Sequence, residues 1–266
     1  MATAHHRSAP PASLLPLGDA AWTVEFGDSI DAAVHARVLG FAAVLERVRS
    51  VASPATGDEA GLWAAIVDVV PTFRSLTVHY DPLRCNGGAL GAALLALAET
   101  SGSTTRVGRQ WTIPVCFDAD FAPDLDELAK AKALSPEAII ALLCQATFQV
   151  YMIGFMPGFP YMGGLPAGLE MPRLSSPRKA VPARSLAIAG AMCAVYPWQS
   201  PGGWRLLGRT PVPMFSAAEA ESPALLASGD RVRWQAIDRR EYLEIEAAVA
   251  AGAFDRRSLM AMARDT

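Results

Sequence analysis

Between Glu170 and Glu219 the chain has no acidic residue, and after His79 it has no histidine. The second absence leaves the C-terminal two thirds without a Ser-His-Asp or Cys-His arrangement of its own, so Cys193 and Ser200 are poor nucleophile candidates. The four cysteines (Cys85, Cys116, Cys144, Cys193) lie far apart among apolar neighbours and form no CxxC pair, which reads as reduced, buried thiols. None of His5, His6, His35 and His79 stands at ligand spacing with a cysteine or carboxylate, so no metal site is expected. No apolar run approaches the roughly 18 residues of a membrane span; the nearest, Ala89 to Ala98, reads as a buried helix. Residues 1–13 are small and polar without an apolar h-region, so they are expected to be a disordered tail rather than a secretory signal, in a cytoplasmic protein. A net charge of −3 argues against a nucleic-acid surface.

The acid-free segment holds six cations: Arg173, Arg178, Lys179, Arg184, Arg205 and Arg209. It is crowded with turn-formers, among them Pro172, Pro177, Pro197, Pro201, Gly202, Gly203 and Gly208. The stretch before it, Ala138 to Leu169, carries no charge of either sign. Cations beside an apolar, Gly-rich wall suit a pocket for a small anion, because low polarity strengthens each charge and a guanidinium fork fixes direction.

Periodicity divides the chain. Trp22, Val24 and Phe26 alternate as a strand, and a helix is predicted from Ile30 to Arg49. Strands are predicted at Trp63 to Val70 and Arg74 to Tyr80, with a helix from Gly88 to Thr100. This β-α-β-β-α order suggests a ferredoxin-like α+β domain over 14–104, completed by Trp111 to Phe117. Two helices follow, one capped by Asp124 with Glu127 as its capping-box partner and one by Ser135-Pro136. From Tyr151 to Trp234 helical periodicity vanishes. Short strands at Leu186 to Ala189, Cys193 to Tyr196, Trp204 to Leu207 and Arg231 to Ile237 alternate with Gly/Pro turns, the mark of a closed β structure over 105–250. The stretch with Tyr242, Leu243 and Ile245 reads as an edge strand or short helix, and 251–266 as a tail.

Several residues are candidates for binding. Arg173 and Arg178 each follow a proline, which pre-orients the side chain; they read either as a pair gripping a carboxylate or phosphate, or as two solvated loop arginines. Arg209 reads as a similar grip or as a brace for a turn. In the run Gly154 to Gly164 the aromatics read as pocket walls or core plugs, with Tyr161 the one whose polar tip meets a ligand. Ser200, Gly202 and Gly203 lie in a turn that presents amides to an oxyanion or simply reverses the chain; Tyr196 reads as a hydroxyl donor or a core residue. A site with anion grips and no general base resembles half a site, completed by a partner or used for binding alone.

These motifs resemble a known family. Val150 to Phe155, Pro160 to Leu165, Pro172-Arg173, Pro177-Arg178, Ile188-Ala189-Gly190, Tyr196-Pro197, Ser200 to Trp204 and Gly208 to Pro211 stand in the order found in the 5-oxoprolinase B-subunit family, also called KipI-like or allophanate hydrolase subunit 1. The resemblance runs from Leu17 to about Ala248. It implies an α+β domain followed by a cyclophilin-like β-barrel. It also implies a C-subunit partner (allophanate hydrolase subunit 2, KipA-like) with a LamB/YcsF-like third subunit. It implies an enzyme inactive alone, whose complex converts 5-oxo-L-proline, ATP and water into glutamate, ADP and phosphate. Two further branches of the resemblance are the carboxyltransferase part of urea carboxylase and an inhibitor of a histidine kinase. The chain departs from the family pattern at Leu143, Arg184 and Ala191 to Ala194, where polar groups or a glycine are common.

Overall fold

The computed structural model describes residues 10–51, 58–103 and 108–260. The chain divides into two compact units, 1–106 and 107–266.

The first unit contains β1 (Ser13–Pro16), β2 (Ala21–Glu25), α1 (Ala32–Val51), α2 (Asp58–Ala64), β3 (Ile66–Pro71), β4 (Ser75–Tyr80) and α3 (Gly87–Thr100). Its sheet runs β1-β2-β4-β3. The β2–β4 pair is antiparallel, Ala21 facing His79 and Glu25 facing Ser75. The β1–β2 and β3–β4 pairs are antiparallel too, so the unit is an α+β layer on an all-antiparallel sheet in which β2, β4 and β3 are neighbours as the β-α-β-β-α order expects, while β1 holds the edge beside β2. Trp63 lies in α2, not in a strand, and β1 already begins at Ser13 inside the expected tail. Residues 1–9 lie outside the described residues. Period-2 alternation puts Leu76, Val78 and Tyr80 of β4 into one core with Phe41 and Leu45 of α1 and with Leu90 and Leu94 of α3. The side chain of Asn86 caps α3 by accepting the Ala89 amide at 3.0 Å.

The second unit contains β5 (Gln110–Cys116), α4 (Leu125–Lys132), α5 (Pro136–Gln145), β6 (Phe148–Ile153), β7 (Pro160–Gly163), β8 (Arg178–Val181), β9 (Ser185–Ala189), β10 (Met192–Val195), β11 (Ser200–Gly202), β12 (Arg205–Arg209), β13 (Arg231–Ile237) and α6 (Arg239–Ala250). Among the described residues seven strands close into a barrel in the order β10-β7-β6-β13-β5-β12-β9. The strand expected to complete the first unit is β5, which instead pairs in parallel with β13 from Gln110↔Arg231 to Cys116↔Ile237. Buried Asp230 pins the start of that pairing, accepting from Arg109 Nη2 (2.8 Å), Trp111 Nε1 (2.9 Å) and the Ala227 amide (3.0 Å). A buried carboxylate with this many donors is fully satisfied.

Alternation along β9 and β10 separates two cores. Leu186, Ile188, Cys193 and Val195 join the cluster to which the barrel strands contribute, so they point inward. Ala187, Ala189 and Ala194 point the other way and pack with Phe159, Val181, Tyr196, Trp204 and Leu206. The small alanines leave room for rings, and a two-stranded ribbon, β8 paired with β11, joins this outer cluster through Val181. Beyond β13, α6 carries a full capping box, with Asp238 accepting the Glu241 amide and Glu241 accepting the Asp238 amide. The expected C-terminal tail contains a 3-10 turn, Arg256–Leu259, and Met260 bridges to Trp111; 261–266 lie outside the described residues.

Candidate functional site

The outer aromatic cluster opens into a cavity of about 330 Å3, lined by Phe155, Phe159, Tyr161, Arg173, Pro177, Tyr196, Pro201, Gly202, Gly203 and Trp204. That volume is at the low end of the roughly 300–1,000 Å3 typical of small-molecule pockets. Buried Phe159 is the hub, with ring centroids 4.9 Å from Tyr161, 5.2 Å from Tyr196, 5.5 Å from Phe155 and 6.0 Å from Trp204. The near-perpendicular pairings, such as 89° to Tyr196 and to Trp204, are the preferred edge-to-face geometry and hold the walls rigid. Gly202 is required here: a Cβ would overlap the Tyr196 hydroxyl. Phe155 is different. It is 68% exposed and sits at φ +68°, a left-handed conformation that bulky residues rarely hold.

The acid-free segment does not leave its cations unpaired as a group. Its carboxylate partners come from outside it. Arg178 Nη2 donates to Asp124 Oδ1 (2.6 Å), Arg184 Nη2 donates to Glu246 Oε1 (2.5 Å), and Arg205 pairs with Glu127. These partners lie 54, 62 and 78 residues away in sequence. Arg209 donates to the Ala183 carbonyl (2.9 Å) and lies over the Phe121 ring, so it braces a turn. Lys179 is exposed on β8. Arg173 faces the cavity, and among the described residues no carboxylate pairs with it; its guanidinium lies over Trp204, 5.8 Å from the ring centroid.

The expectation that Arg173 and Arg178 act as a pair is therefore corrected. So is the expected capping of α4 by Asp124 with Glu127 as its partner, because Asp124 makes no side-chain cap bond. Its two oxygens accept from Arg178 and from the Leu206 amide (2.6 Å), because a charge-assisted bond to a guanidinium outweighs a local cap. The structure brings together Arg173, Tyr161, Tyr196, Gly202 and Gly203. It leaves Arg178 and Arg209 outside the lining, and it leaves Ser200 beside it with a buried Oγ that has no hydrogen-bond partner. Phe155 and Phe159 come from the run 154–164 whose aromatics read as walls or plugs, whereas Pro177, Pro201 and Trp204 are lining residues that residue type alone does not single out as ligand contacts; the density of Gly, Pro and aromatics at 197–204 is the available signal for the last two.

Burial raises the phenol pKa of both cavity tyrosines, opposed at Tyr161 by Arg173 and at Tyr196 by the Trp204 backbone and Arg173. Both hydroxyls thus stay protonated at neutral pH and can donate to an anion. A larger concavity of about 430 Å3 is lined by Arg109, Glu219, Glu221 and Arg256 among others. Its charges are of both signs, Arg109 is bound to Asp230, and Arg256 pairs with Glu219 at 3.5 Å, so it suits a lone anion less well. Among the described residues no helix is long and apolar enough to cross a membrane, and no group of three or more His, Cys, Asp or Glu could hold a metal ion.

The barrel thus carries an aromatic-walled pocket at which Arg173, among the described residues, has no carboxylate partner. The sequence profile of the family described as "Carboxyltransferase domain, subdomain C and D" matches residues 12–226, and the chain belongs to that family. It is 36% identical over 240 residues to the B subunit of the 5-oxoprolinase of Bacillus subtilis (strain 168), covering 85% of this chain and 93% of that protein. Among solved structures it resembles TTHA0988 with TM-score 0.67 and 33% identity, over 82% of this chain but only 40% of that one. It also resembles the Kluyveromyces lactis urea carboxylase with TM-score 0.73, over 92% of this chain and 23% of that one; at 19% identity this likeness concerns the fold alone. The relatives make this chain a carboxyltransferase-type subunit of the kind found in 5-oxoprolinase.

Proposed function

We propose that this chain is the ligand-holding subunit of an ATP-dependent 5-oxoprolinase, which turns 5-oxo-L-proline, ATP and water into glutamate, ADP and phosphate. The observation that carries the reading is Arg173, a guanidinium with no carboxylate partner among the described residues, at an aromatic-walled cavity. 5-Oxoproline is a small ring bearing one carboxylate. Its ring fits between flat apolar walls, its carboxylate matches the guanidinium fork, and its amide carbonyl can accept from a protonated tyrosine. Arg173 orients the ligand, Tyr161 and Tyr196 donate, and the rings exclude water.

The cavity holds no histidine or carboxylate to act as a base. The reading therefore places the chemistry of ATP and water with partners, a KipA-like C-subunit and a LamB/YcsF-like protein, in the cytoplasm, with the nucleotide bound by the complex rather than in this pocket. The name of the Bacillus relative, one subunit of an enzyme, supports such an assembly. The closed seven-strand barrel supports calling the second unit cyclophilin-like.

The test is phosphate release by the chain co-expressed with its two partner subunits. Release that requires both ATP and 5-oxoproline, and that Arg173→Ala weakens through KM, is expected. No 5-oxoproline-dependent release, or full activity in Arg173→Ala, would overturn the reading.

A further inference from the structure

Residues 172–174 and 203–205 run side by side. The Leu174 amide donates to the Gly203 carbonyl (2.7 Å), and Arg205 Nε donates to the Pro172 carbonyl (3.3 Å). These two bonds flank Arg173 and Trp204 on either side and set them opposite each other. Trp204 is itself immobilised: it is 5% exposed and packs edge-on to Phe159 and Tyr161 at 6.0 and 5.9 Å. Its carbonyl accepts from Arg178 Nη1 at 3.4 Å, and Arg178 is tied to Asp124. Arg205, the next residue, is tied to Glu127.

Two arginines are thus committed to carboxylates at the start of α4, Asp124 just before it and Glu127 in its first turn, and brace the Trp204 segment. The third, Arg173, has an indole face where the other two have an anion. The difference matters chemically. A carboxylate would hold the side chain still and also quench its charge. An aromatic face restricts a flexible guanidinium while leaving its fork and its charge available to a ligand. From this geometry we infer that Trp204 is the positioning residue for Arg173, and that the cation–indole pair makes the cavity select a ring bearing one carboxylate over the same ring without it.

The inference builds on the 5-oxoprolinase reading for its kinetic test, and a second measurement frees it from that reading. In the co-expressed complex, Trp204→Leu raises KM for 5-oxoproline about tenfold and changes kcat less than about threefold, while Trp204→Phe, which keeps a flat face, shifts KM by about threefold or less. In an Arg173→Ala background, Trp204→Leu adds less than about twofold, because the partner it positions is gone. If the full tenfold loss persists without Arg173, Trp204 is only a wall and the inference fails.

Separately, the Nε–H signal of Arg173 in the full chain, assigned by its loss in Arg173→Lys, is displaced upfield by the indole ring current. It stays displaced in Trp204→Phe and returns to the ordinary arginine position in Trp204→Leu. An undisplaced signal in the unmutated chain overturns the inference even if Trp204→Leu does not fold. A complex that ignores 5-oxoproline, in a chain whose Arg173 signal is displaced, sinks the substrate reading and leaves the positioning role standing.

Discussion

Replacing Asp124 tests the bracing that underlies the site. Its side chain is 7% exposed and pairs with Arg178, which is 28% exposed, at 2.6 Å; its second oxygen takes the buried Leu206 amide at 2.6 Å. Asp124→Ala strands both donors. Removing one partner of a fully buried ion pair costs about 3–5 kcal/mol. Arg178 can turn toward water, which lowers that figure, whereas the Leu206 amide cannot and adds about 1–3 kcal/mol. The expected loss for Asp124→Ala is therefore about 2–4 kcal/mol, a large share of the roughly 5–15 kcal/mol of a typical domain. Asp124→Asn keeps an acceptor for Leu206 and loses only the charge, so it should cost about half as much. Urea unfolding followed by tryptophan emission reads this out, since Trp204 stands beside the ion pair. A double-mutant cycle with Arg178→Ala should show coupling of about 1–3 kcal/mol. If Asp124→Ala shifts stability by less than about 0.5 kcal/mol, the braced arrangement is wrong.

Arg184 sits at φ +69° and donates to the Pro211 carbonyl (2.8 Å) as well as to Glu246. Arg184→Gly should therefore cost about 1 kcal/mol less than Arg184→Ala in denaturant midpoint comparisons, because only glycine adopts that backbone freely; equal losses would count against the strained geometry. All four thiols have raised pKa values, chiefly through burial, with Cys193 pushed up furthest. Native protein should thus react slowly with a thiol reagent near pH 7.5, and rapid labelling of Cys193 would contradict its burial. Tyr161, Tyr196 and Tyr242 also have raised values. For a group whose folded value is raised, stability is fully present below the unfolded value of about 10 and is lost as pH rises through the folded one. Stability should consequently fall above about pH 10 with phenolate absorbance rising in step, and phenolate formation well below pH 10 in folded protein would disprove the burial of these hydroxyls.

Much of the fold is legible in the sequence, and the failures have physical causes. Alternation marks β2 and β4, and loss of the helical period with dense Gly/Pro turns marks the barrel, β13 included. Strand β6 escapes pattern reading because Ala138 to Leu169 is continuously uncharged, and apolar runs do not separate a strand from the end of α5. The β5–β13 pairing is parallel and spans 121 positions at Gln110↔Arg231, beyond the reach of local pattern. At the site, residue type and turn chemistry point to Arg173, Tyr161, Tyr196, Gly202 and Gly203. They mislead at Arg178 because its partner, Asp124, is 54 residues away, where it looks like a helix cap. An acid-free stretch of sequence is not an acid-free neighbourhood in space.

The most direct measurement is calorimetric titration of 5-oxoproline, and of 2-pyrrolidinone as the same ring without its carboxylate, into the co-expressed complex with native chain or with Arg173→Ala. The account predicts that the native complex prefers the acid, and that Arg173→Ala loses about 1.5–3 kcal/mol of acid binding while leaving the weak binding of the neutral ring unchanged. Equal affinity of native and Arg173→Ala complexes for 5-oxoproline would contradict it.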